Sequence, residues 1–546
     1  MISIDDHSTI GESFARAAQA YAGNAFLAVP ANPERAYDPQ GTEISFSQAQ
    51  ATVAQLARTY AHAGYGVGHR IALLVENRPE HLLHKLAMNT LGVCCVPLNP
   101  DHRAREMAYV LDHARVDAVV VLEALEPLLA AALVQAQSRP ATVRLDRFAE
   151  ALPAAGRPAA STQPTAETPA SVLYTSGTTG RPKGCVLSHR YELASGAWYA
   201  TRGGLCAFGE GSERLYNPLP VFHVNASVLS FFCVMLTGNC QVQTDRFHSA
   251  RFWPEVRAAR ATAVHYLGVI VPMLLARPAS AQDRAHSVRF AIGAGVEPQL
   301  HAVFEQRFGF PLIEIWGMTE MVRAMMDNQP DRELGHRAFG RPQPGVEVRV
   351  VDDADHDVPD GTPGEMLIRH SEATPRKDFF SGYLDDEAAT AQAWRGGWFH
   401  TGDIVARAPG GMLHFVDRRK NIIRRSGENI AAAEVEALLQ THRDVLHAAV
   451  LAVPDEIREQ EVLACVVLRP EVASDHAVMA RALFDFCSAG LAYYKAPGWL
   501  WITDHIPTTP TQKIQKHQLF PSGTDPRQVA GMVDLRALKK RALAAQ

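Results

Sequence analysis

The sequence predicts an α/β fold: a large N-terminal domain of βαβ-type layered sheets with a small β-rich subdomain, then a small mobile α+β C-terminal domain. Three observations predict it. A chain of 546 residues exceeds what one hydrophobic core supports. Residues 71–122 alternate between short apolar runs and stretches of helical period. From about residue 340 the texture turns to short strands punctuated by Gly and Pro, and after Asp417 it changes again.

The alternation is explicit. IALLV is a short apolar run, PEHLLHKLAMNTLG has helical spacing, VCCVPL is strand-like, REMAYVLDHARV is helical and DAVVVL is another strand. This is βαβαβ, which implies a parallel sheet covered by helices through right-handed crossovers. Residues 152–170, rich in Pro, Ala, Ser and Thr, form a loop leading into the next strand. VEVRVVDD, GEMLIRH and GMLHFVD supply the strands of the β-rich subdomain within 340–416. Beyond it, helical AAAEVEALLQTH and ARALFDFCSAGL mix with strand-like AAVLAV, VLACVVL and WLWITD in a unit of domain size. The division expected is 1–416, a hinge at 417–420, and 421–546. The last stretch, LRALKKRALAAQ, reads as a basic amphipathic helix or a frayed tail.

Composition narrows the function. The chain is 47% hydrophobic and 20% charged, with a net charge of -5, so it lacks the basic excess of a nucleic-acid binder. The N-terminus has early acids and no apolar signal region. The longest apolar runs, SVLSFFCVML and YLGVIVPMLLA, are too short to span a bilayer and read as buried core. Eight scattered cysteines show neither metal-site spacing nor a disulfide framework, which fits a reduced cytoplasmic setting. Both a monomer and a homodimer are compatible with this sequence.

The loudest segment is SVLYTSGTTGRPKGCVLSH. An apolar strand enters a loop of Thr175, Ser176, Gly177, Thr178, Thr179 and Gly180, followed by Lys183 and Gly184. Glycines let backbone N–H groups converge on an anion, hydroxyls add donors and the lysine adds charge, which is phosphate-binding chemistry. It is not a Walker A loop, because GK followed by Ser or Thr is missing. A bare Gly/Ser/Thr run would read as a surface turn; the strand entry and the lysine decide for phosphate.

YTSGTTGRPKG closely resembles the signature loop of the adenylate-forming superfamily, which holds acyl-CoA synthetases, amino-acid adenylation domains and beetle luciferase. Further matches follow in family order: LPVFHVNA at 219–226, IGAGVEP at 292–298, WGMTE at 316–320, GRPQPGVEVRVVD at 340–352, GEMLIRH at 364–370, WFHTGD at 398–403, DRRKNIIRRSGENI at 417–430 and PTTPTQKIQK at 507–516. In texture the chain is most similar to the crotonobetaine/carnitine-CoA ligase branch.

The resemblance implies an AMP-forming acid:CoA ligase that uses ATP, Mg²⁺ and coenzyme A on a small-molecule carboxylic acid. Thr175, Ser176, Gly177, Thr178, Thr179, Gly180 and Lys183 would grip the phosphates that leave as pyrophosphate. Glu320 would be the Mg²⁺ ligand and Thr319 would hydrogen-bond the α-phosphate. Trp316, beside Gly317, would stack on adenine, flanked by Gly293, Ala294 and Gly295. Asp403 and Arg418 would hold the ribose. Lys513 would span the acyl carboxylate and the α-phosphate, and His223 would gate the pantetheine channel. Gly427 and Glu428 would line the pantetheine path, with Lys420 as the pivot that exchanges this loop for Lys513. Gln512 stands where the family usually has glycine, which reduces backbone freedom before Lys513.

Asn225, Met321 and Arg323 fall on the expected acyl pocket. An Arg323 facing that pocket would favour a short or medium-length acid with a second polar or anionic group; an Arg323 on the surface would say nothing. Two other functions fit the same fold: an adenylation enzyme that loads an amino acid or aryl acid onto a carrier protein, and a non-catalytic protein on a decayed ligase fold. NPLPVFHVNASVLS lacks the aspartate that amino-acid adenylation domains carry there, and Lys183, Glu320 and Lys513 all stand against decay.

Overall fold

A computed structural model describes residues 1–102, 104–175, 182–418, 421–425, 428–455, 458–472, 475–491, 493–508, 514–521 and 523–539. The chain forms two compact units, Met1–Val348 with Ile368–Phe399, and Arg349–Leu367 with His400–Gln546. Within the β-rich segment expected inside the large domain, residues 349–367 and 400–416 cluster with the C-terminal residues.

The first unit holds a seven-stranded sheet built on the predicted βαβαβ segment. Within it, Arg70–Leu74 lies parallel to Cys94–Pro97 on one side and Ala118–Val121 on the other. The apolar runs are continuous because such strands are covered on both faces; Ile71 through Leu74 are completely buried. Helix Pro79–Thr90 connects the first two, started by Pro79 in its first turn, and helix Ala104–His113 connects to the third. The sheet continues through Pro169–Thr175 to the antiparallel Lys183–Ser188 and Gly382–Tyr383.

An eight-stranded sheet completes this unit, in the order Met321–Met326, Leu312–Met318, Phe290–Ala294, Ala263–Leu267, Arg214–Asn217, Cys240–Gln243, Ala25–Val29 and Thr42–Ser45. Helix Ser230–Thr237, from the longest apolar run, is buried at every residue. Helices Ile10–Ala20 and Phe46–His62 start at capping boxes, Thr9 with Glu12 and Ser45 with Gln48. No helix among the described residues is long and apolar enough to cross a membrane.

The second unit takes in a four-stranded sheet of Glu347–Val351, Gly364–Arg369, Phe399–Arg407 and Leu413–Arg418. Its six-stranded sheet packs helices Ala432–Gln440 and His476–Gly490 around one apolar cluster. The tail departs from expectation. Met532–Asp534 is a strand on the edge of Trp499–Ile502, and Arg536–Leu538 is a single tight turn rather than a longer helix. Leu535 and Lys539 are buried; the rest of the stretch expected to be an amphipathic helix or a frayed tail, residues 540–546, lies outside the described residues. All eight cysteines are buried as free thiols.

Candidate active site

The glycine-rich loop joins two antiparallel strands, and their register sets Thr175 opposite Lys183. Ser176, Gly177, Thr178, Thr179 and Gly180 lie outside the described residues. At the foot of the loop, Lys183 Nζ stands over the ring of Tyr383, 4.6 Å from its centroid. Tyr383 pairs with Cys185 across the sheet edge and donates its hydroxyl to Glu320 Oε1 at 2.8 Å.

Thr319 and Glu320 are the two residues that turn Leu312–Met318 back into Met321–Met326, with Met318 opposite Met321. The turn is tied down on both sides. Tyr191 donates its hydroxyl to the Thr319 carbonyl at 2.7 Å, and the Phe380 N–H donates to the Glu320 carbonyl at 3.0 Å. Glu320 is only 7% exposed. Burial and the charge of Glu320 push the Cys185 thiol well up, so that thiol stays neutral. An ammonium, a phenol and a carboxylate therefore converge at the foot of the glycine-rich loop.

Gly293 and Ala294 end the strand Phe290–Ala294, and Gly295 turns the chain at φ +85°, a conformation glycine adopts without a Cβ penalty. Glu314 clamps that turn. Its two carboxylate oxygens accept the N–H groups of Gly295 and Val296 at 3.0 and 3.1 Å, and Tyr266 adds a hydroxyl at 2.9 Å. Burial raises the Glu314 carboxyl, partly offset by those donors. Trp316 is 6% exposed, with its ring 6.0 Å from that of Phe339. Gly317 faces Ala324, whose Cβ lies 3.4 Å from where a glycine substituent would stand.

Asn225 opens a π-helical turn, Asn225–Leu229, of the kind that often marks functional positions. Its carbonyl oxygen is fully used, accepting from His265 Nδ1 at 2.7 Å and Asn217 Nδ2 at 3.2 Å. Tyr199 donates to His265 Nε2 at 2.6 Å, and burial drives His265 down to about 3, so the imidazole is neutral with its proton on Nδ1. The Asn225 NH₂ is thereby the end turned away from the network. His223 is exposed beside Phe222, with ring centroids 4.8 Å apart, and its carbonyl accepts from Ser227.

Arg323 is paired within the chain. Its guanidinium pairs with Asp378 and lies over the ring of Trp198, 4.9 Å from the centroid. It lines a cavity of about 280 Å³ with Asp5, Arg190, Trp198 and Lys377, and among the described residues shares no hydrogen-bond partner with Asn225. A half-buried arginine needs an anion, and the chain itself supplies one. Met321 is buried in the same strand and bridges to Phe379.

In the second unit Asp403, 1% exposed, lies directly opposite Arg418, whose Nε reaches Asp403 Oδ1 at 2.6 Å. Glu365 and Thr401 shape the turn before it: Glu365 accepts the Gly402 N–H at 3.1 Å, and Thr401 Oγ1 accepts that of Asp403 at 3.1 Å. Asp417 accepts the N–H of Ala433, the start of helix Ala432–Gln440, at 2.8 Å. Lys420, Gly427, Gln512 and Lys513 lie outside the described residues, as does the side chain of Glu428.

The AMP-binding enzyme family matches residues 14–384, and the AMP-binding enzyme C-terminal domain matches residues 434–513. The chain belongs to the AMP-binding enzyme family. It is an adenylate-forming enzyme, as the ordered motifs implied. The crotonobetaine/carnitine–CoA ligase of Citrobacter koseri is 28% identical over 497 residues, covering 87% of this chain and 93% of that protein. The Salmonella typhi protein of the same name is 28% identical over 498 residues, with the same shares covered. Among solved structures, ATP-bound MatB from Rhodopseudomonas palustris superposes with a TM-score of 0.78 at 24% identity, covering 93% of this chain and 98% of that one. A benzoate CoA ligase from Burkholderia xenovorans gives 0.78 at 23% identity, covering 94% and 99%. At these identities the two structures speak for the fold.

For this AMP-binding enzyme, the motif residues missed Tyr383, Glu314, Glu365 and Tyr191. Each holds a motif residue; Glu365 lies within GEMLIRH, and the other three lie outside the motifs. A polar residue in an apolar strand, as Glu314 is within LIEIWGM, was the available signal.

Proposed function

We propose that the chain is an AMP-forming acid:CoA ligase. The observation that carries the reading is the convergence of Lys183, Tyr383 and Glu320 at the foot of the glycine-rich loop. A substrate carboxylate oxygen attacks the α-phosphorus of ATP, the bond to the β-phosphate breaks, and pyrophosphate leaves with the acyl-adenylate remaining. The thiol of coenzyme A then attacks the acyl carbon, losing its proton, and AMP departs with the electrons of the acyl–oxygen bond.

Lys183 and the loop hydroxyls neutralise the leaving phosphates. Lys513 supplies a fixed cation where charge develops on the α-phosphate and the carboxylate, the preorganised stabilisation that dominates such steps. Asp403 and Arg418 hold the ribose. Glu320, a buried hard-oxygen donor oriented by Tyr383, suits Mg²⁺, which when bound neutralises phosphate charge. His223 stands at the channel for the thiol, and the turn Gly293–Gly295, held by Glu314, borders adenine together with Trp316 and Gly317. Rotation about Lys420 exchanges Lys513 for the loop with Gly427 and Glu428, and would have to release Asp417 from Ala433.

The acid meets Asn225, whose NH₂ has no partner among the described residues, with Met321 as an adaptable wall. This favours an acid with a second hydrogen-bond acceptor. Since Arg323 is held by Asp378, it places no barrier against a quaternary ammonium acid. Pyrophosphate release from a panel of hydroxy, dicarboxylic, quaternary ammonium, aromatic and long-chain acids, with and without coenzyme A, tests the reading. We expect AMP and acyl-CoA with a polar acid. Stoichiometric ADP would overturn the reaction, and transfer to a carrier protein alone would overturn the acceptor. A panel led by palmitate would overturn the pocket.

A further inference from the structure

The chain past Lys516 is longer than the motif needs, and it is built into the second unit. Met532–Asp534 extends the sheet antiparallel to Trp499–Ile502. The Leu535 N–H donates to the Gly498 carbonyl at 2.8 Å, and Leu535 joins the apolar cluster. Arg536 bonds Asp455 Oδ2 at 3.0 Å and covers the ring of Trp499, 4.5 Å from its centroid. The strap ends on Lys539, whose side chain is fully buried and donates to Glu461 Oε1 at 2.5 Å and to the Tyr494 carbonyl at 3.0 Å.

Glu461 passes the contact on. Its other oxygen, Oε2, accepts from Arg425 Nε at 2.8 Å, and Oε1 also accepts the Val462 N–H at 2.8 Å. Gly498 makes the room: a Cβ there would run into the Glu461 carboxyl group. Arg425, with a side chain 2% exposed, is the last residue of the strand Ile422–Arg425 and pairs with Glu428 to close its hairpin. Three charges thus link the C-terminal strap to the base of the hairpin that the proposed function assigns to the thiol acceptor. The group carries one more cation than anion, so burial makes its geometry exacting: each cation keeps its place only while Glu461 is held between them.

We propose that the strap 532–539 is a positioning element for thioester formation, acting through Lys539, Glu461 and Arg425 on the hairpin Ile422–Ala431. This rests on the proposed function for its chemical readout but not for its structural one. Without Lys539, Glu461 loses one charged partner, the carboxylate is free to swing, and Arg425 no longer has a fixed anchor. Lys513 belongs to another segment, so the adenylation step should not depend on this link.

The test is Lys539→Met beside Leu535→Ala, which weakens the strap without touching the charges. In Lys539→Met, transfer from preformed acyl-adenylate to coenzyme A should fall about tenfold, while acid-dependent pyrophosphate exchange stays within about twofold of the parent. Hydrogen exchange of the 422–431 amides should rise about tenfold in Lys539→Met and remain near parental in Leu535→Ala. Equal loss in both half-reactions, no loss in either, or unchanged exchange in the hairpin would overturn the proposal. If Lys539→Met does not fold, Glu461→Gln, which removes the charge and keeps the shape, must give the same split. A parent that makes no thioester at all would instead sink the proposed function, and the exchange measurement would still decide the strap.

Discussion

Glu192 and Glu461 are both fully buried carboxylates, one in each unit, and they are neutralised in opposite ways. Glu192 faces one cation, Lys85 at 2.8 Å, and the Ser171 hydroxyl. Its Oε2 is buried without a hydrogen-bond partner among the described residues, and burial raises its carboxyl despite the lysine. Glu461 has two cations and a backbone N–H. The lean pair pins the strand that enters the glycine-rich loop, through Ser171, to helix His189–Ala200, whose Tyr191 supports Thr319. The saturated triad joins three separate segments. A lean pair fixes register and is replaceable by apolar groups of similar shape, whereas a triad with surplus charge transmits a loss at one end to the other.

Breaking the lean pair should have the largest effect. Lys85→Met leaves a carboxylate buried and unpaired, which costs about 3–5 kcal/mol. Adding Glu192→Leu should restore most of that in denaturant unfolding. A double variant no more stable than the single one would show that the two residues are not coupled.

Glu314 sharpens the contrast, because its partners are backbone donors rather than cations. Glu314→Ala strands the N–H groups of Gly295 and Val296, and should cost about 2 kcal/mol. The cost should appear chiefly as a higher KM for ATP in pyrophosphate exchange; an unchanged KM would separate this turn from the nucleotide. Tyr383→Phe removes a single neutral donor from Glu320, worth about 1–1.5 kcal/mol, or roughly tenfold in kcat/KM at limiting Mg²⁺. A loss independent of Mg²⁺ would mean that the phenol orders the turn rather than the metal ligand.

The smallest effect concerns pH. Burial pulls Lys539 down to about 8, against the attraction of Glu461 and assisted by the positive charges of Arg425 and Arg458. Its folded value lies below its unfolded one. Between them the unfolded chain binds more protons, so this group adds stability as pH rises. The parent should therefore gain on Lys539→Met from about pH 8 to about pH 10, measured by unfolding at each pH. A constant difference would place Lys539 at an ordinary lysine value.

What could be read from the chain divides along the same line. The strands around Arg70–Leu74 and the helices between them follow from local period and from continuous burial, and they stand where the pattern put them. Thr175, Lys183, Glu320, Asp403 and Arg418 could be singled out as candidates because each sits in a motif. The supporting contacts were not: Tyr383 meets Glu320 from 63 residues away, Asp378 lies 55 residues past Arg323, and Lys539 lies 78 residues past Glu461. No local period encodes such a partner. For Arg323 the sequence left a pocket and a surface position both open, because it does not reveal that Asp378 folds back onto it. The strand Met532–Asp534 and the buried ammonium of Lys539 were not legible either, since the partners that fix them, Trp499–Ile502 and Glu461, lie far back in the chain.

The eight buried thiols give the two units something further. Six, from Cys94 to Cys240, lie in the first unit, and Cys465 and Cys487 lie in the second. Burial lifts Cys94, Cys240, Cys465 and Cys487 to about 12, far from the thiolate form that alkylating reagents attack. In the native enzyme such a reagent has almost nothing to react with, so labelling is limited by opening rather than by thiol chemistry. The chain thus carries two sets of internal clocks. Mass spectrometry of the labelled peptides under mild denaturant would time the opening of each unit separately, without an added probe.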